Sequence, residues 1–275
     1  MNWPRIRYRW PIMTDSCFHP ERSPVTSLHQ KLNQLSLTTM SRQLDQMIAD
    51  SSARNLSFAQ ALESLTDLEL ESRNRRSIER RFRLSRLHGQ PSIDSFNFKH
   101  HKTRLDAKPR ILRLLDLEFL QKGISAIFIG NPGVGKTFLA KIVGWRACQA
   151  NYRVLFTTAM DMLNHLLASQ VDHSLIRKLK LFTEPTLLIV DELGYLSLDQ
   201  QTSNLFYQVI STRHSHKRST LITTNTTFSD WGNILYNTTI ATAIADRLVE
   251  NSEIFLLGGD SLRKAGKNSL PPAEE

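Results

Sequence analysis

The octapeptide Gly130-Asn131-Pro132-Gly133-Val134-Gly135-Lys136-Thr137 constrains this chain more than any other stretch of it. It satisfies G-x-x-x-x-G-K-[ST] at every fixed position. The apolar run Ala126-Ile127-Phe128-Ile129 precedes it, and Phe138, Leu139, Ile142 and Val143 follow at helical spacing. Glycines let backbone N–H groups turn inward around phosphate oxygens, and the helix N-terminus adds partial positive charge. Gly130, Asn131, Pro132, Gly133, Val134, Gly135, Lys136, Thr137 and Phe138 are therefore the expected ATP-binding residues. Lys136 is expected to reach the β- and γ-phosphates, and Thr137 to ligate Mg²⁺ through its hydroxyl. A glycine-rich turn with a coincidental lysine is the plainer reading, and the strand–loop–helix context argues against it.

From Ile124 onward apolar strands alternate with helical segments, which predicts an α/β fold with a parallel sheet flanked by helices. The strands are expected at Ile124–Gly130, Arg153–Thr158, Thr186–Asp191, Ser219–Thr224 and Glu253–Leu257. Helices are expected near 136–150, 160–182, 200–215 and 240–250. The run Leu187-Leu188-Ile189-Val190 reads as a strand buried on both faces. It ends in Asp191 and Glu192, at the sheet edge where ligands bind in such folds. Asp191 is expected to hold Mg²⁺, and Glu192 to orient and deprotonate the attacking water. Asn225, after Leu221-Ile222-Thr223-Thr224, could touch the γ-phosphate or the water, or serve as a turn residue. Arg247 could stabilise transferring phosphate, or pair with Asp246 or Glu250.

Upstream, residues 25–100 are expected to form a small helical domain for DNA or partner contacts, and 101–264 the ATPase domain. Residues 1–24 and 265–275 read as tails. Leu28, Leu32 and Leu35 recur at helical spacing, as do Met40, Leu44 and Met47. Ser57 and Gln60 are placed for a capping box, followed by the stripe Phe58, Leu62 and Leu65. Seven arginines fall between Arg73 and Arg86. Arg73, Arg76, Arg80 and Arg83 share one helix face, with Ile78 and Phe82 expected to pack inward. That face is either a DNA-phosphate track or a solvated surface paired to the acidic stretch Glu63–Glu71. Residues 91–122 read as a basic connector.

The net charge of +9 favours polyanions, unless it is only a well-solvated basic surface. The two cysteines, Cys17 and Cys148, make neither a disulfide framework nor a metal motif, which fits the cytoplasm. No uninterrupted apolar run approaches the roughly 20 residues of a membrane span.

The order of these pieces resembles the AAA+ ATPases. More closely it resembles the IstB-like transposition helper ATPases of insertion sequences, relatives of the DnaC helicase loaders. The resemblance is carried by Gly130–Ala140, Tyr152–Thr158, Asp191-Glu192-Leu193-Gly194-Tyr195-Leu196, Phe228-Ser229-Asp230-Trp231-Gly232, Asp246-Arg247-Leu248 and Gly259–Arg263. It implies an ATP-dependent, non-sequence-specific protein that binds double-stranded DNA, assembles as a homo-oligomer and assists a transposase. It also implies that Asn225 is a sensor and Arg247 an arginine finger acting in trans, and sets Arg263 near a second sensor. The family often carries Pro and Thr where this chain has Asn131 and Val134. A helicase loader on the same fold, preferring single-stranded DNA, is the nearest rival. A small-molecule kinase is another, but the Asp-Glu pair and the Thr-Thr-Asn strand point to water as acceptor.

Overall fold

A computed structural model describes residues 24–194 and 198–261. The expected tails, apart from residue 24, lie outside those residues, as do Tyr195, Leu196 and Arg263. The chain divides between Arg75 and Arg76 into two compact units.

The first unit is all helix: α1 (Pro24–Gln34), α2 (Thr38–Arg54) and the part of α3 (Phe58–Leu84) up to Arg75. Leu32, Met40, Leu44 and Leu65 form its core, with Leu37 and Met47 at the margin. The expected stripes are only partly buried. Leu35 and Phe58 stand out in solvent, because these helices make a core one residue deep and it closes around Leu32 and Leu65. The capping box is present: Ser57 N–H donates to Gln60 Oε1 at 2.9 Å, and Gln60 N–H donates back to Ser57 Oγ at 3.3 Å. Glu69 is buried and accepts from the backbone N–H of Thr39 and of Met40, two donors that the start of α2 leaves without helical partners. Burial opposes its charge, yet Arg73 and those two N–H groups outweigh it and hold the carboxyl below its ordinary pKa.

The second unit is built on β1 (Ser125–Gly130), β2 (Val154–Thr158), β3 (Leu187–Leu193), β4 (Ser219–Thr224) and β5 (Ser252–Leu257). All pairs are parallel, in the order β2-β3-β4-β1-β5. Every residue from Leu187 to Val190 is fully buried, because helices cover both faces of the sheet. Ala126, Phe128 and Ile189 pack on one face with Leu139 and Val143 of α6 (Lys136–Gln149). Ile127, Leu188 and Val190 pack on the other. They meet α7 (Ala159–Val171), α9 (Gln200–Ser215), the short α10 (Trp231–Ile234) and α11 (Thr238–Val249) through Leu163, Phe206, Trp231 and Ile244.

Two stretches differ from the sequence reading. Residues 160–182 form α7 and then α8 (Leu175–Thr183) rather than one helix. His173 takes φ 54°, and Asp172 Oδ1 accepts from Ser174 N–H at 3.0 Å, so a local turn competes with the helix there. Residues 91–122 are not a mere connector. They hold two 3-10 turns, then α4 (Lys102–Leu114) and α5 (Glu118–Lys122). Helix α4 runs through Pro109 and buries Ile111 and Leu114 against the sheet's core. Leu87, Phe96 and Phe98 belong to that core too, so the contact boundary at Arg75 precedes the expected domain border at residue 100.

Candidate nucleotide site

Strand β1 ends at Gly130, and the loop enters α6 at Lys136. Gly133 and Gly135 take φ 82° and 91°, which side chains resist. Space is closed as well: a Cβ on Gly130 would sit 2.0 Å from Leu257 O, and one on Gly135 would sit 2.8 Å from the Phe96 ring. Gly133 and Gly135 are thus fixed twice, by backbone conformation and by neighbours, and Gly130 by its neighbours alone. Lys136 folds back over the loop and donates to Gly130 O at 2.7 Å and Asn131 O at 2.9 Å. Those bonds hold its ammonium against the loop backbone.

Across the sheet edge, Thr137 Oγ1 donates to Asp191 Oδ1 at 2.9 Å. Thr223 Oγ1 donates to the same oxygen and accepts from Glu192 N–H at 3.0 Å. Thr223 therefore ties β4 to both carboxylate residues of β3. Pairing of β3 with β4 slips between Val190 and Leu193, and Glu192 sits in the slip at φ 61°. That left-handed turn costs about 1 kcal/mol or more for a residue with a Cβ. It turns Glu192 out of the strand's alternation, leaving its side chain exposed while Asp191 and Leu193 are buried.

A cleft of about 510 Å³ opens over the loop. Of the residues expected there, Gly133, Gly135, Lys136, Thr137, Phe138 and Glu192 line it. Asp191 lies beneath Thr137. Asn131 and Pro132 are exposed on the loop, and Val134 points into the core with no exposed surface. Asn225 follows β4, and its buried Oδ1 has no hydrogen-bond partner. Phe96, Asn97, Lys141 and Thr223 also line the cleft and were missed by sequence reasoning. Thr223 stood inside a motif already singled out. Phe96 sat in the presumed connector, with only its two neighbouring aromatics, Phe98 in sequence and Phe138 in space, to mark it.

Behind Phe96 lies Arg104, wholly buried, its three guanidinium nitrogens without hydrogen-bond partners. Its Cζ is 5.6 Å from the Phe96 ring centroid, so the ring face carries part of the charge. Burial holds its pKa below the ordinary guanidinium value.

Arg247 is not part of this cleft. It shares a small recess with Ser125 and Thr220, at the starts of β1 and β4, so it lies at the opposite edge of the sheet from Gly130. It pairs with neither Asp246 nor Glu250. It donates to Ala243 O at 2.8 Å and stacks over Tyr207 at 4.9 Å. Within the arginine run, Arg73 is engaged by Glu69 and by Ser36 O, so for this residue the pairing reading holds. Phe82 does pack inward, edge-on to Trp145.

The donor set fits Mg²⁺. Asp191 and Thr137 offer hard oxygens side by side, and Mg²⁺ takes few protein ligands beside phosphates and water. Among the described residues no cluster of three or more His, Cys, Asp or Glu could hold another metal. Nor is any described helix long and apolar enough to cross a membrane.

A glycine loop after β1 of a parallel five-stranded sheet, with an Asp-Glu pair at the end of β3, separated from β1 by β4 alone, defines a P-loop nucleotide-binding fold. Over residues 30–269 the chain matches the model for the IstB-like ATP binding proteins, and it belongs to that family. It is 36% identical over 236 residues to the insertion sequence IS5376 putative ATP-binding protein of Geobacillus stearothermophilus, covering 86% of this chain and 93% of that one. The corresponding IS232 protein of Bacillus thuringiensis is 32% identical over 236 residues, with the same coverage of 86% and 93%. In fold it is similar to the DnaC helicase loader, at TM-score 0.51 and 20% identity, over 65% of this chain and 98% of the other.

Proposed function

We propose that the chain hydrolyses ATP to gate non-sequence-specific binding of double-stranded DNA, and so assists a transposase of an insertion sequence. The observation that carries the reading is the arrangement of Thr137, Asp191, Thr223 and Glu192 around one cleft. Two hydroxyls converge on the buried Asp191, and the neighbouring carboxylate is turned out of the strand toward the cleft. In this reading Lys136 leaves its loop carbonyls for the β- and γ-phosphates. Thr137 and Asp191 hold Mg²⁺. The metal, when bound, neutralises charge on the phosphate oxygens. Glu192 orients a water and takes its proton, and Asn225, whose buried amide oxygen has no partner, serves as a sensor of the γ-phosphate or the water.

Arg247, far from the cleft of its own chain, is assigned to the cleft of a neighbouring copy. ATP then favours a homo-oligomer, and the oligomer lines up basic surface along DNA, with Arg76, Arg80 and Arg83 as phosphate contacts. Insertion sequences named for the relatives support a role in transposition, a DNA recombination reaction of the cytoplasm.

Fluorescence anisotropy on duplex and single-stranded DNA, with and without ATP, tests this for the wild type and Lys136→Ala. Expected is cooperative duplex binding that needs ATP, is lost in Lys136→Ala and weakens steeply with salt. Preference for single strands would turn the reading toward a helicase loader. Absence of binding under every condition would leave an ATP-binding protein with no DNA role.

A further inference from the structure

Strand β2 is an outer strand of the sheet, and a groove of about 600 Å³ runs beside it within the second unit. Its walls come from three separated segments: Arg81 near the end of α3, Arg153 just before β2, and Arg177, Lys178 and Lys180 on α8. Glu184 is the one carboxylate among the lining residues. It pairs with Arg153 only loosely, at 3.5 Å between two exposed side chains. Asp172 adds a second carboxylate beyond the rim, beside Ser174.

This is not the solvated face of a single helix. Leu175, Leu179 and Phe182 of α8 pack into the sheet's second core, and that packing leaves Arg177 and Lys180 exposed. Arg81 is braced by Asn151, with Nη1 to Oδ1 at 2.8 Å. Five cations gathered from three parts of the chain repel one another, with Glu184 the one lining carboxylate to offset them, and an anion that spans them relieves this. The edge of β2 is also partly closed. Phe156 N–H already donates to Ser85 O at 2.7 Å, so an incoming peptide strand finds that donor taken. A chain of phosphates needs no such donor and suits spaced guanidinium and ammonium groups.

We propose that this groove is a nucleic-acid backbone site on the ATPase unit, reading phosphate and not sequence. The inference rests on the DNA-binding reading above and relocates its contacts from the arginine run of α3 alone to α8 and the start of β2.

The test uses the full chain with Arg177→Gln/Lys180→Gln, two exposed residues outside the nucleotide cleft. Arg80→Gln/Arg83→Gln serves for comparison. Duplex affinity is measured across a salt series, and ATP binding with a fluorescent ATP analogue. The groove variant should bind duplex about tenfold more weakly, with a salt slope shallower by about two, while binding the ATP analogue like wild type. Unchanged affinity and slope, with wild type binding normally, would overturn the groove and leave α3 as the track. Failure of the wild type to bind duplex would sink the DNA reading itself, and the groove proposal with it. Retained duplex binding with loss of a poly-glutamate peptide, used as a probe, would make the groove an acidic-peptide site instead.

Discussion

The two edges of the sheet are built on opposite terms. At the edge where the strands begin, Arg213 is wholly buried and its guanidinium is fully employed. It donates to the carbonyls of Phe182, Thr183, Pro185, Thr186 and Ser219 and to Thr220 Oγ1. One side chain thereby ties the end of α8, the approach to β3 and the start of β4 to α9. At the edge where the strands end, the accounting is left open. Glu192 and two loop glycines hold left-handed backbone, and the buried Asn225 Oδ1 has no partner. Buried polar groups left unsatisfied cost roughly 1–3 kcal/mol each. The difference lies in what faces a ligand. At the strand starts Arg213 joins the surrounding carbonyls, and the left-handed Asn151 and Lys217 and the unpartnered Ser252 Oγ lie outside the cleft; at the strand ends the bent backbone of Glu192 and the loop glycines stands at the cleft itself.

That contrast can be broken by substitution. Glu192→Gln should lower ATP hydrolysis by about 10²–10⁴-fold if Glu192 is the base, with nucleotide affinity and melting temperature unchanged. Phosphate release assays alongside calorimetry read both. A loss of stability equal to the loss of rate would show Glu192 to be structural. The opposite edge should respond the other way. Arg213→Met removes a donor from five carbonyls, of which Thr183 O keeps Arg218 Nη1, and should cost about 3 kcal/mol or more, lowering the melting temperature by roughly 10 °C. Hydrolysis per folded molecule should stay near wild type, as read by active-fraction-corrected rates. A smaller effect is expected where the two demands meet. Thr223→Val removes the hydroxyl that joins Asp191 to the Glu192 backbone, and should cost about 1–2 kcal/mol of stability and reduce hydrolysis roughly tenfold. If thermal melts show that cost while the rate stands, the hydroxyl braces the strands without aligning the carboxylates.

Short-range pattern was enough for much of this. The loop from Gly130 to Thr137 was legible because strand, turn and helix are consecutive, and chain connectivity alone brings the glycines and Lys136 together. The uninterrupted run Leu187–Val190 announced a strand covered on both faces, and so placed Asp191 and Glu192 at its end. The capping box at Ser57 and Gln60 is four residues long and needed nothing from the rest of the fold. Helix α4 was less legible, because its basic residues and Pro109 hide the buried pair Ile111 and Leu114.

What the tertiary structure alone decided is which distant segments became neighbours. Phe96 met Phe138 at the cleft only because residues before β1 fold back over α6. Arg247 went to the far edge because α11 returns the chain to the start of β5. The groove of Arg81, Arg153 and Arg177 exists because β2 is an outer strand, with α3 and α8 beside it. Sequence spacing fixes contacts within a turn or a motif, where the backbone has few choices. Contacts across the sheet depend on strand order, which is set by how both apolar faces are buried together and cannot be read from any one stretch.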